Sequence, residues 1–210
     1  RAGVCFAAVG LLAADARYYG ALARHEKRWM DNLADRPRPA AGAARLITSM
    51  GATRHAIPLA AGASVFRSLF DGNRHGLSGG GLLRGQGIAP VFTIVSGAVA
   101  RHLLCEVSAR SRPPSRGWHV RPEGHSFPSR HTTVAALTAG VLAPSHPVAA
   151  SAIAASLVGA TRLYLGVHWP TDVLAAWLFA IGWLALAEAV TDQSTSSSGP
   201  RQDGRRRRSA

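Results

Sequence analysis

Cysteine is scarce in this chain. Cys5 and Cys105 are the two in 210 residues, each set among apolar neighbours with no paired spacing. That excludes a disulfide framework and reads as two small buried hydrophobes. Negative charge is also thin, with 11 acidic residues against 24 Lys and Arg and a formal net charge of +13. Such a balance calls for an anionic partner: a nucleic acid, a lipid headgroup or a phosphorylated substrate. No groove-reading motif is present and the basic residues punctuate apolar runs, so nucleic acid is set aside. His119, His125 and His131 are spaced six apart and share no helical face, so no metal site is expected. Gly79-Gly80-Gly81 is too short and irregular in its surroundings for a nucleotide-binding loop.

What is present is clustered apolar sequence. Hydrophobic residues make up 47% of the chain, a share that soluble proteins also reach, so their clustering carries the argument. Residues 3–22 are mostly apolar and read as a first span, crossing a hydrocarbon core that takes ~20 residues. The chain opens at Arg1, and residues 1–12 fit the remainder of such a span or of a signal segment. Residues 24–54 are polar, with Arg36-Pro37-Arg38-Pro39 breaking them into two amphipathic surface helices. A short apolar run covers 56–70. Residues 71–87, with seven glycines, read as a loop.

Residues 88–104 form the clearest early span, followed by a Pro- and Arg-rich polar stretch over 106–130. Residues 131–143 are apolar but short, and Ser129 is placed to cap their helix. Two more spans follow at 147–165 and 173–190, the second starting just after Pro170. Trp169, Trp177 and Trp183 are placed to anchor or pack that last helix. Residues 191–210 have nothing to bury and read as a disordered basic tail, carrying five arginines.

The fold class is therefore all-α: an integral membrane helical bundle of about five to six spans over 1–190, with its core at about 56–190. With Arg205 to Arg208 in the cytoplasm, the loop 106–130 and the turn 166–172 both face outward, towards each other. That outer loop is itself arginine-rich, against the positive-inside tendency. A bound phosphate would offset those cations.

The chemistry concentrates in these two outer pieces. His125, Ser129, Arg130 and His131 open one apolar helix, while Arg162, His168 and Asp172 close the next and begin the last. Taken singly, His131 is an ordinary helix-start histidine and His168 an interfacial one. Arg162 is harder to dismiss, because a charge closing an apolar span is costly. Together they suggest a phosphate-handling site at a membrane surface.

Three motifs in order carry a resemblance: Arg112-Pro113, then Pro128-Ser129-x-His131, then Arg162 followed by His168 and Asp172. They resemble the signature of the type 2 phosphatidic acid phosphatase superfamily, whose site vanadium haloperoxidases share. The resemblance implies that His168 is a nucleophile forming a phosphohistidine, with Asp172 holding its other ring nitrogen. It implies that His131 protonates the leaving alkoxide and then activates water. Arg112 and Arg162 would clamp phosphate oxygens, with Ser129, Arg130 and backbone amides adding contacts. No metal or other cofactor is implied. The expected substrate is a lipid phosphate or diphosphate of the phosphatidic acid or polyprenyl type. The expected location is the plasma membrane, multi-pass, with the site outside and the tail in the cytoplasm.

Departures from the pattern matter. The first motif's lysine position is Cys105, and a thiol cannot serve as a fixed cation; Arg101 or Arg110 is the expected substitute. Arg130 stands where glycine is usual, and Thr161 where serine is usual. The lost lysine leaves open a catalytically silent lipid-phosphate-binding protein, and the shared site a vanadate-dependent haloperoxidase. Oligomeric state is not encoded in any motif.

Overall fold

A computed structural model describes residues 1–18, 20–71 and 89–196. Among them are eight α-helices, one short 3-10 turn and no strand, in line with the all-α expectation. The helices are α1 (Ala2–Arg17), α2 (Ala21–Ala34), α3 (Ala41–Ser49), α4 (Thr53–Asp71), α5 (Ala89–Ser108), α6 (Arg130–Leu142), α7 (Pro147–Tyr164) and α8 (Pro170–Ser196). Most of the glycine-rich loop, residues 72–87, lies outside the described residues, as does the tail from 197.

Helix α6 is the axis of the bundle. Thr132 to Thr138 is buried without a break, with Gly140 buried two positions further on, so α6 is enclosed on every side. It packs against α5, α7 and α8. Small side chains make that possible: at Gly140 a Cβ would lie 2.8 Å from the Ser151 hydroxyl of α7. The main core joins Ile94 of α5, Val134 and Leu137 of α6, Ala155 of α7 and Leu184 of α8. A second cluster sets Val9 of α1 against Phe127 and Phe179, where Phe6 meets Phe179 edge-on and Trp183 stacks on it at 5.6 Å.

The outer surface is apolar. On α5, Phe92, Val95, Val99, Leu103 and Val107 recur at helical spacing and are all exposed. Exposed large apolar side chains also line α1, α4, α7 and α8. Ala89–Ser108 and Pro170–Thr191 are long and apolar enough to cross a membrane, and most of each is unburied by protein. The outward stripe of α5 is what a lipid-facing helix requires and what an aqueous surface disfavours.

Three local expectations are corrected. The first apolar run ends at Arg17, short of residue 22, because Asp15 turns back and accepts the Ala23 amide at 2.8 Å, opening α2. Ser129 occupies the N-cap of α6, but its hydroxyl makes no capping bond to an amide and accepts the Thr132 hydroxyl instead. The last helix continues through Ser196, into the segment expected to be tail.

Candidate active site

The two outer pieces meet through their backbones. The His119 amide donates to the Leu165 carbonyl at 3.0 Å and the Ser129 amide to the Asp172 carbonyl at 3.1 Å. The Trp169 indole donates to the Ser111 carbonyl at 2.8 Å. Gly166 lets the chain turn between α7 and the start of α8: its φ is +73°, and a Cβ there would run into the Gly117 carbonyl. These contacts place the start of α6, the end of α7 and the His168 turn around one cavity of about 540 Å³, which α3 and α5 also line.

His168 lines that cavity at its buried end. Its Nδ1 lies 3.2 Å from Asp172 Oδ2, and its Nε2 lies 3.2 Å from Arg112 Nη1. The pairing assigns the proton to Nδ1, facing the carboxylate, and the lone pair to Nε2, facing the cavity. Burial, countered in part by the Asp172 hydrogen bond, pushes the imidazole down to about 4; Arg162 and Arg112 push the same way. His168 is thus neutral at physiological pH, as a nitrogen nucleophile must be.

Arg112 is held as a fixed fork. Its Nε donates to Gly124 O, its Nη2 to Glu123 O and His125 O, and its Nη1 to Val167 O. Burial lowers its basicity, with Asp172 opposing, but a guanidinium keeps its charge. Arg162 reaches the cavity from α7 and donates to the Thr48 hydroxyl at 3.3 Å. Its Nε is buried with no hydrogen-bond partner. An unsatisfied buried donor on a charged group costs ~1–3 kcal/mol or more, so an anion in the cavity would stabilise it.

Arg101, Cys105, Arg130 and His131 line the same cavity. Arg101 is buried, donates twice to the Pro128 carbonyl, and lies 3.2 Å from the Sγ of Cys105, the position at which the motif's lysine was expected. Arg130 sits on the rim, more than half exposed, 3.9 Å from Glu123. Arg54 and Arg121 add charge at the mouth, unforeseen in the sequence.

Besides Asp172, which is buried behind His168, two expected residues are not on the cavity. Ser129 is fully buried beneath it, with its hydroxyl engaged by Thr132. Arg110 faces away, bound to Asp172 Oδ1 at 2.6 Å, to the Thr171 hydroxyl and to Glu26. Two buried carboxylates outbid the cavity for that guanidinium, so Arg110 does not replace the lysine. Glu26 itself went unnoticed in the sequence. Its signal was its place in the buried stripe Ala23, Glu26, Met30 and Ala34 of α2, where a carboxylate is out of pattern. Among the described residues no group of three or more His, Cys, Asp or Glu is placed to hold a metal ion.

A model of the PAP2 superfamily matches residues 32–195. The undecaprenyl-diphosphatase of Sulfolobus acidocaldarius is 32% identical over 106 residues, covering 47% of this chain and 49% of that protein. The lipid A 1-phosphatase of Rhizobium johnstonii is 37% identical over 111 residues, covering 47% of this chain and 45% of that protein. The matches thus span about half the length of these curated relatives. A transmembrane PAP2-type phosphatidylglycerolphosphate phosphatase from Bacillus subtilis superposes with a TM-score of 0.71 at 22% identity, covering 92% of this chain and 96% of that one. At that identity the likeness speaks for the fold.

Proposed function

The chain belongs to the PAP2 superfamily, and from that premise we propose that it hydrolyses a phosphate or diphosphate group on a membrane lipid through a phosphohistidine. The carrying observation is the His168 imidazole held between Asp172 and Arg112 at the base of a cationic cavity. In this reading the Nε2 lone pair attacks phosphorus while the bond to the leaving oxygen breaks. His131, charged once the bound phosphate offsets the arginines around it, gives that oxygen its proton. His168, now carrying a positive phosphoimidazole, is stabilised by the Asp172 carboxylate through Nδ1–H. His131 then takes a proton from water as the hydroxide attacks phosphorus. The P–N bond breaks, and phosphate leaves with His168 neutral again.

Arg162 and Arg101 are assigned to the phosphate oxygens through N–H groups left unbound. Arg112, whose five N–H groups are engaged, sets fixed positive charge beside them and reaches an oxygen by giving up its contact to His168 Nε2. Arg101 stands for the missing lysine, which favours an active enzyme over a silent binder. Arg130 is a rim contact. The apolar outer helices support a membrane setting; in this reading the chain is a multi-pass protein of the plasma membrane, with the site on the outer face and the tail in the cytoplasm.

The test is phosphate release by the purified chain in mixed micelles, from phosphatidic acid, a polyprenyl diphosphate and phosphatidylglycerolphosphate, with and without chelator. Release that resists chelator, is blocked by vanadate and is abolished by His168→Ala supports the reading. Binding of the same lipids without release would favour a silent pocket.

A further inference from the structure

Glu26 lies on α2, far in sequence from the three motifs, yet it is buried against the first turn of α8. One carboxylate oxygen accepts the Thr171 amide at 3.1 Å and the Thr171 hydroxyl at 2.7 Å. The other pairs with Arg110 Nη2. Arg110 in turn uses Nη1 on Asp172 Oδ1 at 2.6 Å and on Thr171 Oγ1 at 2.7 Å. Asp172 is fully buried, and its second oxygen takes the His168 Nδ1–H and the Trp169 amide. A continuous line of hydrogen bonds therefore runs Glu26–Arg110–Asp172–His168.

We propose that Glu26 and Arg110 are positioning residues for the Asp172–His168 pair, forming a buried, charge-balanced bridge that fixes the carboxylate without neutralising it. The inference rests on His168 being the nucleophile. Arg110 alone beside Asp172 would orient it but would also draw off its charge, leaving less to stabilise a phosphoimidazole. Glu26 balances Arg110, so the three groups together keep one net negative charge facing Nδ1. The other charges near the pair are cations: Arg101 and Arg112 act on Asp172 from α5 and the outer loop, and Arg112 and Arg162 act on His168 with His131 nearby. None of them contacts Asp172 as Arg110 does. Breaking a buried ion pair exposes its partner's desolvation cost, so the bridge is read best through paired substitutions.

The experiment compares Arg110→Met, Arg110→Lys, Glu26→Gln and the Glu26→Gln/Arg110→Met double variant of the full chain in micelles. It records kcat and KM for phosphatidic acid and a polyprenyl diphosphate across pH, with the folded fraction measured by gel filtration. Arg110→Met is expected to lower kcat about 10- to 100-fold while KM stays within about threefold, because the bridge acts on the nucleophile and not on binding. It is also expected to raise the acid limb of kcat/KM, since Asp172 then gives its whole charge to His168, whereas Glu26→Gln moves that limb the other way. The double variant is expected to lose less than the product of the two single losses. Arg110→Lys keeps the charge and retains most of the turnover. An acid limb that stays in place in every variant that folds, or losses that multiply independently, overturns the proposal. His168→Ala separates the two levels. If it keeps releasing phosphate, the nucleophile assignment fails; if it is inactive while the bridge variants lose activity only in step with folded protein, the bridge alone falls.

Discussion

Arg112 places Nη1 3.2 Å from His168 Nε2 while the same nitrogen donates to the Val167 carbonyl. One guanidinium thus holds both the backbone of the His168 turn and the face of the imidazole that looks into the cavity. A protonated imidazole would meet that guanidinium cation-to-cation. The contact therefore selects the neutral ring, and it puts a phosphate-binding group beside the atom assigned to attack.

The pH dependence follows from that selection. His168 is pushed down to about 4, chiefly by burial, from an ordinary ~6.5. The nucleophile stays neutral as pH falls through ~6.5 and is lost only near the lower value, so the acid limb of kcat/KM contributed by His168 is expected near 4. Stability follows the same sign. Between those limits the unfolded chain binds the proton that the folded chain refuses, so stability falls as pH drops through the window. Thermal unfolding in micelles should show this acid loss in the native chain and less of it in His168→Ala.

Arg101 is expected to carry what the missing lysine carries elsewhere. Arg101→Ala should cut kcat/KM by about 10²- to 10³-fold, the scale for removing a charged donor from a developing oxyanion. Cys105→Ala should change it by less than about threefold, since the thiol only neighbours the guanidinium. Steady-state kinetics on the preferred lipid decide this. Unchanged turnover in Arg101→Ala would take the lysine's role away from Arg101.

His131 is assigned the leaving-group proton. His131→Ala should therefore slow a poor leaving group such as a lipid alcohol far more than a good one such as p-nitrophenol, by a margin of about 10²-fold or more. Equal losses on the two substrates would remove the acid role.

Gly166→Ala tests the turn that delivers His168. The positive φ costs an alanine ~1–2 kcal/mol, and its Cβ would press on the Gly117 carbonyl. A lowered unfolding temperature together with a lowered kcat is expected, because the outer loop must shift where it meets the turn.

Much of the site was legible because its residues sit in three short motifs, each at the end of an apolar helix. The spacing of His168 and Asp172 puts a carboxylate within reach of the imidazole with little help from the rest of the fold. The meeting of the two outer pieces followed from the short turn between residues 142 and 147, which returns the chain to the face on which the loop 106–130 ends. Other features depended on partners distant in sequence. Arg110 looked as available as Arg101, and only the arrival of Glu26 from α2 turns it away from the cavity. Ser129 has the right neighbours in sequence but is sealed beneath them by Thr132. The overlong first span arose because hydropathy sums do not register Asp15 closing one helix to open the next.

The most direct measurement is rapid quenching of the enzyme with a lipid phosphate radiolabelled on the transferred phosphoryl group. The account predicts label on the protein within a turnover, stable in base, released in acid, mapping to the peptide that holds His168, and missing from His168→Ala. Full turnover with no labelled protein, or label that persists in His168→Ala, would contradict it.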